Sequence, residues 1–215
     1  HFYTTDSLLF AATRQGIFRI RKGKARLHYN KFSRQYTAVL PYNREPQYLF
    51  IGLNDGISLV RYTNGIFIHQ GKIRGINAHI LHLTEDNRGN IWATTKHKGL
   101  YQIQPFPSPD QNIHCIHYPL EKAFSPHTDW VKPYSLSEGL LFSTSEGLYR
   151  FDTSNGIFHR DTSLELETNM QNIHPIAEAS DQTLWINTEG NSPSRTQILY
   201  ALLSPRQNKK HQINL

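Results

Sequence analysis

The chain has 215 residues, a formal net charge of +6 and one cysteine, Cys115. A single cysteine excludes an intrachain disulfide framework, and the lack of a run of eighteen apolar residues excludes a helical membrane span within this stretch. Lys and Arg are scattered over the whole length, which speaks for a solvated surface of mixed charge and against a dedicated nucleic-acid surface.

In chain order, one pattern recurs five times: an apolar strand, a short polar loop, a glycine and a second strand. The first strands read LLFAAT (8–13), YLFIGL (48–53), NIWATT (90–95), LLFSTS (140–145) and TLWINT (183–188). The glycines are Gly16, Gly56, Gly99, Gly147 and Gly190, at intervals of 40, 43, 48 and 43 residues. After them come IFRI, ISLVRY, LYQI, LYRF and, beyond a longer loop, QILYAL. The large residue at the middle of each first strand (Phe10, Phe50, Trp92, Phe142, Trp185) is expected to be buried between neighbouring sheets.

A third strand follows in TNGIFIHQ (63–70) and TSNGIFHR (153–160). The Asn64-Gly65 and Asn155-Gly156 pairs predict tight hairpins in which both central residues take positive φ. A further strand precedes each core hairpin, at 36–40, 77–83, 130–136 and 172–179. Four strands per repeat of about 40–45 residues is the size of a propeller blade. Helical repeats fail, because no window of eleven residues keeps a helical apolar period without Gly, Pro or Asn breaking it. The expectation is an all-β propeller of about five four-stranded antiparallel blades, spanning roughly 1–32, 33–71, 72–119, 120–162 and 163–215. Both ends read as ordinary blades with no strand to close a ring, and Met170 is the only methionine, so the chain reads as part of a larger assembly.

No catalytic, metal or cofactor set stands out. His114, Cys115 and His117 offer ligand chemistry, but alternation on a strand turns His114 away from the other two. An outer strand carrying one buried thiol accounts for them. His79, His82 and His174 fall on innermost strands that could line a channel, and would matter for an enzyme if they converged with an acid. Glu85 and Asp86 lie in a turn that an Asx-type geometry with Gly89 explains. The segment RIRKGKAR (19–26) is the densest basic run and reads as an exposed hairpin whose charges protect an edge.

The third repeat, ILHLTEDNRGNIWATTKHKGLYQI (80–103), resembles the two-component regulator propeller repeat through Glu85, Asp86, Gly89, Asn90, Trp92, Thr94, Gly99, Leu100 and Tyr101. STSEGLYRFDTSNGIF (143–158) carries the second half of that pattern and IAEASDQTLWINTEG (176–190) the first half. Ala93 and Asn187 stand where the pattern has glycine, and the first two repeats lack its Trp. The resemblance implies a seven-bladed periplasmic propeller of an inner-membrane receptor that carries a histidine kinase or diguanylate cyclase on its cytoplasmic side. It implies ligand sensing without catalysis, no cofactor, no nucleic acid, no membrane insertion of this segment and homodimerisation through the receptor. An interaction scaffold, or a propeller lyase or hydrolase, are the alternatives.

A small-molecule or saccharide ligand is expected on the loops between the two core strands of each blade. Those loops carry Arg14, Gln15, Asn54, Asp55, Lys96, His97, Lys98, Glu146 and Glu189. The competing reading is that they are plain hairpin turns in water.

Overall fold

The computed structural model describes residues 2–4, 9–13, 15–30, 36–104, 113–162, 173–179, 183–189, 197–202 and 210–213. They form five four-stranded antiparallel sheets, each with its strands in sequence order. The first holds β1 (Phe2–Thr4), β2 (Leu9–Thr13), β3 (Gly16–Arg21) and β4 (Lys24–Tyr29); the second β5 (Tyr36–Pro41), β6 (Tyr48–Leu53), β7 (Gly56–Thr63) and β8 (Ile66–Lys72). The third holds β9 (Ile80–Glu85), β10 (Ile91–Thr95), β11 (Leu100–Ile103) and β12 (Cys115–Tyr118). A single turn of helix, α1 (Leu120–Ala123), precedes the fourth, made of β13 (Val131–Leu136), β14 (Gly139–Thr144), β15 (Gly147–Asp152) and β16 (Ile157–Arg160). β17 (Ile173–Glu178), β18 (Leu184–Glu189), β19 (Gln197–Leu202) and β20 (Lys210–Ile213) make the fifth. Each sheet is a propeller blade, a twisted meander with one strand for every element anticipated in the repeat. The chain divides into two compact units, His1–Pro119 with three sheets and Leu120–Leu215 with two.

Within the first unit, alternation along β6 explains why YLFIGL is apolar throughout. Leu49, Ile51 and Leu53 pack with Phe10, Ile17 and Val39 against the first sheet. Phe50 turns the other way, to Ile57, Ile80, Ile91 and Ala93 of the core shared with the third sheet. A strand covered on both faces is apolar at successive positions, as β6 is.

Four of the five mid-strand residues are buried, with Phe10 and Phe142 at 0% exposure and Phe50 and Trp92 at 1%. The fourth repeat is nonetheless shifted by one. In the second unit Leu141 and Leu148 meet Ile186 of the fifth sheet, while Phe142 lies on the opposite face. There it packs among Phe158 and Phe124, with ring centroids 5.0 and 6.4 Å away. Counting back three from the residue that opens the loop (Thr13, Leu53, Thr95, Thr144, Thr188) gives Phe10, Phe50, Trp92, Leu141 and Trp185. Leu141, not Phe142, is therefore the counterpart of Trp92. Trp185 is only half-buried; it pairs with alanine on both sides, Ala177 and Ala201, whereas Trp92 has Tyr118 stacked on it at 5.7 Å.

The two Asn-Gly turns differ. Asn64 (φ 50°) and Gly65 (φ 80°) both take positive φ in a two-residue hairpin, as does the Lys22-Gly23 pair between β3 and β4 (φ 49° and 72°). At Asn155-Gly156 only the glycine does, with φ 74°. Here the loop is four residues long, because Asp152 pairs with Ile157, accepts the Gly156 N–H through its carbonyl, and caps Ser154 through its carboxylate.

Candidate functional site

The loops that join the second and third strands are held by one repeated device. Thr95 Oγ1 donates to the Gly99 carbonyl at 2.8 Å and accepts from the Lys98 N–H at 2.9 Å. Thr144 does the same with Gly147 (2.8 Å) and Glu146 (3.1 Å), and Thr13 with Gly16 (3.1 Å) and Gln15 (3.1 Å). A threonine that closes its own turn leaves the intervening residues pointing out of a pinned loop. Gln15, Lys96, His97, Lys98 and Glu146 are accordingly exposed, and so is Asn54, whose loop has Leu53 in place of threonine. Arg14 and the side chain of Glu189 lie outside the described residues.

In the first unit the link from β8 to β9 brings two of these loops together. A Cβ on Gly56 would stand 2.5 Å from the Ile76 carbonyl, so the link passes directly over the Asn54-Asp55 loop. A few residues on, the His79 carbonyl accepts the Lys96 N–H at 2.9 Å and the Asn77 carbonyl accepts Lys98 Nζ at 2.9 Å. Asp55 is turned inward to an ion pair with Lys72 at 2.6 Å. Asn54, Lys96 and His97 stay exposed on the two loops, and Lys98 is bonded to the link between them.

The metal-like cluster on β12 resolves differently. Cys115 donates its thiol to the Arg74 carbonyl at 3.7 Å, and burial pushes the thiol's pKa up, away from the thiolate that a metal or nucleophile requires. The exposed His117 stacks on Tyr101 at 4.5 Å and bonds the Lys98 carbonyl, which steadies the same loop. Among the described residues no three of His, Cys, Asp and Glu are placed to hold a metal ion. His79 and His82 are half-buried, and the side chain of His174 lies outside the described set.

The Glu85-Asp86 pair has a role that spacing alone does not reveal. Asp86 Oδ1 accepts from the N–H groups of Arg88 (2.9 Å) and Asn90 (2.8 Å), and Oδ2 from Asn90 Nδ2 (2.8 Å) and the Trp92 indole (2.9 Å). Glu85 instead accepts the Asn43 N–H, at 2.8 Å, from the β5–β6 turn of the preceding sheet. Glu178 repeats this in the second unit, taking the Ser137 N–H and its hydroxyl (2.7 Å) from the β13–β14 turn. A carboxylate closing the first strand of one blade thus clasps the first turn of the blade before it. Burial raises the Glu85 pKa; the Asn43 N–H and Arg44 oppose this, and the charge of Asp86 adds to it.

A raised carboxyl pKa means that the ionised form disfavours the folded state. That handicap is full above the folded pKa and fades as pH falls towards the unfolded value of 4.5. Glu85→Gln keeps an acceptor for Asn43 without the charge, so the variant should unfold at the same or higher denaturant concentration than wild type at neutral pH. The wild type should gain relative to it as the pH is lowered towards 4.5. Glu85→Ala removes the acceptor and should cost about 1 kcal/mol. Parallel pH–stability profiles for wild type and Glu85→Gln would contradict the assignment.

The architecture places this chain among the β-propellers, and solved propeller domains match it. The extracellular domain of BT4673 from B. thetaiotaomicron matches with a TM-score of 0.69 and 16% identity over 100% of this chain and 27% of that one. That of BT3049 from the same organism matches with a TM-score of 0.66 and 19% identity over 100% of this chain and 28% of that one. The BT4673 domain is described as part of a one component system in one structure and of a hybrid two component system in another, and the BT3049 domain as part of a hybrid two component system. Virginiamycin B lyase from Staphylococcus aureus matches with a TM-score of 0.60 and 14% identity over 100% of this chain and 69% of that one. This chain therefore spans a little over a quarter of the length of the two extracellular domains. No protein-family model matches the sequence, and neither does any curated protein.

Proposed function

We propose that the chain is part of the extracytoplasmic, ligand-sensing propeller of a bacterial signal-transduction receptor, and that it is itself non-catalytic. The observation that carries this reading is the likeness of its whole length to the extracellular domains of BT4673 and BT3049. The sequence supports it through the resemblance of EDNRGNIW (85–92) to the two-component regulator propeller repeat; in that segment Glu85 holds the turn of the blade before it, and Asp86 ties its own turn to Trp92. Output passes to a histidine kinase or diguanylate cyclase domain, and two receptor copies come together in signalling. The ligand, a small molecule or a saccharide, sits on the loops of the first unit that bear Arg14, Gln15, Asn54, Lys96, His97 and Lys98; Asp55 is taken up by Lys72, and Glu146 and Glu189 stand on the equivalent loops of the second unit. Varied polar groups on loops pinned by threonine suit a binding face with little ordering cost.

The likeness to a lyase favours a second reading, a propeller enzyme. One experiment separates them: the intact receptor is expressed with and without these blades, and the output of its cytoplasmic domain is measured across candidate ligands. Loss of the ligand response on deletion supports the sensor. Replacing Arg14, Lys96 and Lys98 together by alanine should raise the ligand concentration for half-maximal output about tenfold or more. Unchanged signalling in that triple variant would remove the loops from the ligand site.

A further inference from the structure

We propose that the outer hairpin of the first sheet, β3–β4, is a binding surface for a linear acidic polysaccharide. Cross-strand pairing sets Arg19 opposite Arg26 and Arg21 opposite Lys24, with Lys22 at the turn. Arg21, Lys22, Lys24 and Arg26 are exposed and Arg19 is half-exposed. The result is two like-charged rungs on one face, roughly 5 Å across and about 7 Å apart along the strands. Among the described residues none of the five has an ion pair or hydrogen bond to an acid.

Like charges directly opposite one another destabilise a hairpin, so the arrangement needs an explanation from outside it. Edge protection covers only half: Lys24 and Arg26 are on the edge strand β4, but Arg19 and Arg21 are on β3, which is paired on both sides. The corresponding positions elsewhere avoid the conflict. Arg61 faces Ile68 and Gln102 faces Ile116, while Arg150, the counterpart of Arg19, is neutralised by Asp161 at 2.7 Å and Glu138 at 3.6 Å. An unneutralised two-row ladder suits a polymer with an acid on successive units, and its arginines can take carboxylate or sulfate oxygens in pairs. Residues 19–26 contain no aromatic side chain, and so lack the stacking platform by which single-stranded nucleic acid is held.

The proposal does not depend on the receptor reading and is tested on the 215-residue chain by itself. Binding to polygalacturonate and heparin is measured against neutral dextran and oligo-dT, over a series of salt concentrations. Salt-sensitive binding to the two acidic polysaccharides is expected, with oligo-dT weaker. Arg21→Gln/Lys24→Gln should weaken it about tenfold or more, yet melt no lower than wild type, since a repulsion is removed. Arg61→Gln/Lys122→Gln takes away the same charge at exposed positions elsewhere, and should leave affinity within about twofold. Equal losses in the two variants would reduce the effect to net charge and overturn the site. Absence of salt-sensitive binding, or tighter binding to oligo-dT, would overturn the proposed partner.

Discussion

Truncation of Trp92 to alanine is expected to destabilise the chain by about 3–5 kcal/mol, measured by denaturant unfolding. The side chain is 1% exposed, stacks on Tyr118, and donates its indole N–H to Asp86 at 2.9 Å. Removing it leaves a cavity and strips one donor from a carboxylate whose others are Arg88 and Asn90. Trp92→Phe separates the two effects: most of the apolar volume stays and only the hydrogen bond and part of the stack are lost, for about 1–2 kcal/mol. A loss under about 1 kcal/mol for the alanine variant would mean that this residue does not anchor the third sheet.

The blades were legible because period and patterning agree. The core hairpins of the first four sheets pair as glycine spacing and apolar runs require, and Ile57, Leu100 and Leu148 follow their glycines into the core. Register was harder to read. Choosing the aromatic residue of the strand singled out Phe142, although a count of six back from glycine, which gives Phe10 and Phe50, gives Leu141 in the fourth repeat. A one-residue slip moves a side chain to the other face of a sheet, and this is how Phe142 and Leu141 exchange places. Asn155-Gly156 failed as a two-residue hairpin for a similar reason: Asp152 offers the turn a local cap that a dipeptide rule ignores.

Less of the candidate site was legible. The loops could be named from the sequence, and His97, Lys96 and Asn54 are exposed on them. That Asp55 turns to Lys72 and Lys98 to the Asn77 carbonyl depends on partners 17 and 21 residues away, which no local pattern encodes. The clasps of Glu85 and Glu178 reach 42 and 41 residues back, about one repeat. Repeat length was visible, but the acceptor's partner is a backbone N–H, and backbone donors leave no mark in composition.

Gly56→Ala is expected to be among the most damaging single-methyl changes in the first unit, at about 3 kcal/mol or more. Two costs combine there. Its φ of +132° belongs to a region that residues with a Cβ rarely enter, and the added carbon would stand 2.5 Å from the Ile76 carbonyl, a backbone atom that no rotamer change can clear. Gly65→Ala is the control, because at φ +80° nothing lies within 4 Å of the new carbon. It carries only the left-handed penalty of about 1 kcal/mol. The difference between the two variants, read from denaturant midpoints at equal slope, therefore measures the close passage of the link over the loop. Since that link also supplies the carbonyls of Asn77 and His79 to Lys98 and Lys96, displacing it should disturb the loops on both sides. Backbone amides of Lys96 and Lys98 should then exchange faster in Gly56→Ala than in Gly65→Ala. Equal protection in the two variants would show that the link does not couple the second and third blades at this end.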